Sequence, residues 1–166
     1  MKFKNLFWLG LTLLAVGSAA QVAVDPDWKE NEAPPPPAFH PDRLIPIDMP
    51  RYVSLRFGID PATLVITPDG IVRYVVVATN TSGSVSAMYE GIRCSSGEVK
   101  TYARVSPSGR WSAVKDPQWQ ALNDNLPSRH APALARQGVC DGRAMPASSV
   151  ADIVRALRSP APMPAR

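Results

Sequence analysis

The chain has little of what catalysis and cofactor binding require. It holds two histidines, His40 and His130, and neither has a partner at ligand spacing. A zinc site takes three or four ligands, so no metal centre is expected. No Gly-x-Ser-x-Gly turn is present, and His130 is the only base of that kind in the body, so a serine hydrolase triad is not supported. A phosphate-cradling glycine loop and a Cys-x-x-Cys-His attachment site are both absent. Asp69-Gly70 lacks the further ligands of a calcium loop and reads as a turn. No cofactor is therefore expected. The 18 basic residues exceed the 14 acidic ones by only four, too small an excess to call for nucleic acid.

Long apolar runs are also missing. The one candidate, Leu6 to Val16, is too short to span hydrocarbon. It follows Lys2 and Lys4 and precedes Ser18 and Ala20, in the small-x-small arrangement read before Gln21. This pattern predicts a cleaved secretory leader over 1–20 and a mature chain in the periplasm or outside the cell. No cysteine stands after that cleavage point, so a lipid-anchored product is not expected. The two cysteines, Cys94 and Cys140, form an even pair in a chain bound for an oxidising compartment and are expected to be disulfide-bonded.

What remains divides by composition. Residues 21–42 carry five acidic side chains against Lys29 alone, while residues 43–166 carry 15 basic and 9 acidic. The simpler expectation is two solvated surfaces. The sharper one is an acidic arm folded back onto a basic body, or a body that meets an anionic envelope partner. Residues 24–50 hold eight prolines, which fix φ and remove donors, so 21–50 reads as an extended arm or strap. Phe39, Leu44, Ile45 and Ile47 are its docking residues. A single domain over 51–158 follows, then a disordered tail over 159–166.

Within the domain the pattern predicts an α+β fold: an antiparallel meander of about five strands packed with a C-terminal helical segment and tied by one disulfide. Thr63–Thr67, Ile71–Thr79, Val85–Cys94, Glu98–Val105 and a short strand near Trp111 are the strands, with another plausible at Tyr52–Phe57. Ile71–Thr79 is apolar almost throughout and is expected to be covered on both faces. Asp116-Pro117 resembles a helix start, Ala131–Gln137 a short helix stopped by Gly138, and Ser149–Arg158 an amphipathic helix with a capping box.

The hairpin around Ser95-Ser96-Gly97 supplies the candidate site. Pairing Cys94 with Glu98 would set Glu90 opposite Tyr102, on one polar face with Lys100 and Arg104. A bulge at Gly91 would shift that placement. The plain reading of Glu90 is a cross-strand ion pair. The sharper reading is a polar pocket of Glu90, Arg93, Tyr102 and Arg104, closed by the disulfide-tied segment, that binds a cation or holds a general base. Trp111 and Trp119 are expected in the core rather than on a binding surface.

The run Tyr89-Glu90-Gly91-Ile92-Arg93-Cys94, then Lys100-x-Tyr102-Ala103 and Gly109-Arg110-Trp111, resembles the cryptic neisserial protein-like family of exported bacterial proteins over about residues 50–158. The resemblance implies a Gram-negative envelope protein and brings no catalytic residues. The expected function is a non-catalytic binding or envelope-interaction module whose partner is an envelope protein or an anionic envelope component. A small envelope enzyme using Glu90, and a tether working through the arm, are the alternatives.

Overall fold

The computed structural model describes residues 25–106, 108–123, 125–144 and 149–159. The leader expected over 1–20 and the tail from Pro160 lie outside these residues. In chain order the strands are β1 (Ile45–Pro46), β2 (Arg56–Ile59), β3 (Val65–Ile66), β4 (Ile71–Thr79), β5 (Val85–Arg93), β6 (Glu98–Val105), β7 (Trp111–Ala113) and β8 (Gln120–Ala121). The helices are α1 (His130–Leu134), continued by a wider turn over Ala135–Val139, and α2 (Val150–Arg158).

All eight strands form one antiparallel sheet in the order β1-β2-β4-β5-β6-β7, with β3 also on β4 and β8 also on β6. The count exceeds the expected five because short strands share each flank of the central three. β1 reads as proline-rich strap, yet it pairs at the sheet edge, where Pro46 is tolerated. β8 lies where a helix start was expected. Asp116 takes φ 53°, the chain turns, and Gln120 and Ala121 pair with Val99 and Glu98.

β4 forms where β-branched residues run together, after the turn at Pro68-Asp69-Gly70, where Gly70 has φ 82°. It is buried from Ile71 to Ala78, as a strand covered on both faces must be. Val72, Tyr74, Val76 and Ala78 enter the larger core with Leu134, Val139, Ile153 and Leu157 from the helical third. Val75 and Val77 enter a second cluster with Ala87, Tyr89 and Ala103, against which Phe39 and Leu44 of the arm pack. The sheet is thus sandwiched between helices on its inner face and the arm on its outer face.

The α2 helix begins as its capping box predicts: the Asp152 carboxylate accepts from the Ser149 N–H and hydroxyl. Its apolar side buries Ile153 and Leu157. Gly138 takes φ 138°, and a Cβ there would lie 2.6 Å from Ala156 Cβ, so a glycine lets this turn close on α2. Cys94 and Cys140 are bonded, with Cα atoms 5.5 Å apart, which fastens the helical third to the end of β5.

The β5–β6 register differs from the one expected. Arg93, not Cys94, stands opposite Glu98, and the connection spans four residues. The Gly97 N–H meets both the Arg93 and the Cys94 carbonyls, which draws Cys94 into the turn. A further shift falls between Tyr89 and Glu90: Tyr89 faces Ala103 while Glu90 faces Thr101, leaving Tyr102 as the extra residue. A one-residue slip moves side chains to the other face of a sheet. Glu90 therefore points inward with Tyr74 and Thr101, while Lys100 and Tyr102 point outward.

Candidate functional site

The residues expected in one pocket occupy two faces of the sheet. On the inner face Glu90 is 3% exposed. Its Oε2 accepts from the Tyr74 hydroxyl at 3.1 Å and lies 2.7 Å from His130 Nε2, and its Oε1 accepts from the Thr101 hydroxyl at 3.1 Å. Burial alone would raise the Glu90 carboxyl, but the opposing influence of His130 and these hydrogen bonds holds it below its ordinary value. Burial, then the neighbouring carboxylate, pushes Tyr74 well above the ordinary phenol range, so it stays a neutral donor.

His130 opens α1 and is itself buried, stacked on Phe57 at 5.0 Å between ring centres. Its Nδ1 lies 2.7 Å from Ser128 Oγ. The ring bridges the Glu90 carboxylate at Nε2 and the Ser128 hydroxyl at Nδ1. A serine, an imidazole and a carboxylate thus stand in a row, two of them neighbours on one loop. All the acceptor contacts of Glu90 are made within the fold, so the carboxylate positions His130 rather than facing an incoming group.

The outer face holds a different cluster, built around a residue of the arm. Glu30 Oε2 is 2.8 Å from Lys100 Nζ and 3.1 Å from the Trp119 indole nitrogen, and its Oε1 accepts from the Tyr102 hydroxyl at 2.8 Å. Arg73 NH2 lies 3.8 Å from the same carboxylate. Strands β4 and β6 aim Arg73, Lys100 and Tyr102, and Trp119 stands immediately before β8. Gly91 makes the room: a Cβ there would lie 2.7 Å from Ile71 Cγ2 and 2.8 Å from the Tyr102 oxygen. Burial raises the Tyr102 hydroxyl and Glu30 adds to it, so the phenol remains a donor at neutral pH.

Neighbouring arm residues are held as specifically. The Trp28 ring lies under the Arg93 guanidinium at 3.9 Å and meets Trp119 edge-on at 6.0 Å. Its indole N–H donates to the Asp69 carbonyl at 2.7 Å. The Asn31 N–H donates to Asp69 Oδ2, and its carbonyl accepts from Arg73 NH2. Burial would raise the Asp69 carboxyl, but the Thr67 hydroxyl, the Asn31 N–H and Arg73 hold it below its ordinary value. Further along, the His40 N–H donates to the buried Asp60 carboxylate. The acidic arm is folded back onto the basic body, the sharper of the two readings of the charge asymmetry.

Of the expected site residues, Arg93 and Tyr102 join this outer cluster, with Arg93 also paired to Glu98 at 2.9 Å. Arg104 stands apart, exposed beside the Met88 sulfur. Trp119 belongs to the outer cluster and Trp111 packs edge-on to Phe39, so both serve the docked arm. Glu30, Trp28 and Arg73 carry no local motif, and the opposed charges of arm and body signalled only that an acidic residue such as Glu30 could meet a basic one; Trp119, expected in the core, lies half-buried at the arm instead. A cleft of about 480 Å³ opens beside the disulfide near Arg136 and Arg143, and none of its lining residues belongs to either cluster. Among the described residues no group of three or more His, Cys, Asp or Glu is placed to hold a metal. Nor is any helix among them long and apolar enough to cross a membrane.

The model of the CNP1-like family matches residues 23–158. The chain belongs to the CNP1-like family. The match reaches further than the resemblance over 50–158, since it takes in the arm with Trp28 and Glu30. No curated protein and no solved structure matches this CNP1-like chain.

Proposed function

We propose that the chain is an exported, non-catalytic binding module of the bacterial envelope, and that its outer face takes up a carboxylate-bearing partner. One observation carries this reading: Lys100, Tyr102 and Trp119 aim three donors at a single carboxylate, Glu30, with Arg73 beside them. Without that carboxylate, Arg73 still faces Asp69 and Arg93 still faces Glu98, while Lys100 loses its partner. The vacated face has an excess positive charge and converging donors, which suits an anion. The leader pattern at 1–20 supports export, and the disulfide suits an oxidising compartment. Titration of a Glu30→Gln variant with a short glutamate-rich peptide tests the reading. Binding that weakens as salt rises is expected; no binding at low salt would overturn it.

A second reading, an acyl-transfer enzyme, is favoured by the Ser128–His130–Glu90 row. A serine-directed fluorophosphonate probe separates the two. The binding reading predicts no labelling of Ser128, and labelling lost in Glu90→Gln would favour the enzyme.

A further inference from the structure

Resting on the outer face as a binding site, we propose that the arm is a tethered competitor, and that the partner it holds off is an extended peptide with tryptophan two residues before an acidic residue. The arm itself displays the recognition chemistry. In an extended segment, residues two apart point the same way. Trp28 and Glu30 do so here, and each has its own socket. The aromatic socket is the Arg93 guanidinium with the edge of Trp119, and the Asp69 carbonyl accepts an indole N–H that phenylalanine lacks. The acidic socket is Lys100, Tyr102 and Trp119. The next residue, Asn31, is held through its backbone N–H and carbonyl, so any residue but proline serves there.

Two features mark the docked arm as replaceable. Arg73 is 3% exposed and its Nε has no hydrogen-bond partner, so the arm leaves one buried donor unused. The docked segment also has no regular secondary structure and is joined to β1 through Pro34–Pro37. Its hold is therefore made of side-chain sockets and two backbone bonds, all of which a second peptide of like sequence reproduces. A short tether presents such a segment at an effective concentration on the order of millimolar. A free peptide must outcompete that, and its apparent affinity falls by the fraction of molecules with the site open.

The test is peptide binding to the full chain, wild type and Trp28→Ala/Glu30→Gln, with folding checked by thermal melting. The probe is a synthetic peptide of residues 25–33, alongside versions with the tryptophan changed to alanine or the glutamate at position 30 to glutamine. The proposal expects the double variant to bind the unchanged peptide at least about tenfold more tightly than wild type does. Each altered peptide should bind the double variant at least about fivefold more weakly than the unchanged one. Equal affinity for wild type and double variant would overturn the competitor. If the alanine peptide bound the double variant as tightly as the unchanged one, the peptide class would fall and anion binding would stand. Failure of all three peptides to bind the folded double variant would overturn both. Should the double variant not fold, Glu30→Gln alone carries the same comparison.

Discussion

At the scale of single residues, Glu90, buried, and Glu30, half-buried, are two carboxylates with opposite tasks. Glu90 joins strand to helix through His130, and all its contacts are internal. Replacing it with glutamine leaves His130 without its charged partner and is expected to destabilise by about 2–3 kcal/mol. Urea unfolding measures that loss, while binding at the outer face stays unchanged. The pH dependence follows from direction. The carboxyls of Glu90, Asp60 and Asp69 are all held below their ordinary values. Their stabilisation is complete above the ordinary carboxyl range and lost as pH falls through the folded values. Stability should therefore decline as pH falls below about 5, less steeply in Glu90→Gln. Gly91→Ala is a sharper probe of the outer face, because its Cβ would displace Tyr102 or Ile71. It should weaken peptide binding and lower stability by about 1–3 kcal/mol. The chemistry of Glu90 as a partly enclosed carboxylate was legible in the sequence. Its face was not, because one residue in the hairpin loop decides whether Glu90 stands opposite Tyr102 or Thr101, and that residue leaves no composition signal.

Among the elements, the disulfide and the packing of Leu134, Val139, Ile153 and Leu157 bind the helical third to the sheet. The bond closes a separation of 46 residues, so its removal in a Cys94→Ala/Cys140→Ala variant should cost about 4 kcal/mol on the chain-entropy account. Denaturant midpoints with and without the bond measure it, and a negligible change would mean that the helices hold by packing alone. Strands β4 and β6 were readable to their end residues, because β-branched runs bounded by Pro-Asp-Gly, Ser-Ser-Gly and Pro-Ser-Gly turns leave few alternatives. The α2 helix was equally clear from its spacing and cap. β8 was not, because Asp116-Pro117 has the local chemistry of a helix start, and only pairing with the far side of β6 overrides it. β1 was hidden in the same way by the prolines around it.

Over the whole molecule, the opposed charges of arm and body are, besides the cysteine pair, the long-range feature that composition exposes. It pointed to a folded-back arm without naming Glu30, whose contacts reach up to 89 residues along the chain. Lys29 lies between the two anchoring side chains and is exposed, so trypsin reports on docking. Weakening the cradle with Lys100→Ala should raise cleavage after Lys29 by about tenfold, as should high salt in the wild type. The most direct measurement of the central claim is the indole ¹⁵N–¹H resonance of Trp119, the donor that Glu30 occupies. In Glu30→Gln the resonance should leave its wild-type position, and titration with the residue 25–33 peptide should bring it back. A resonance that moves on substitution but does not respond to the peptide would contradict the claim that this face receives a partner.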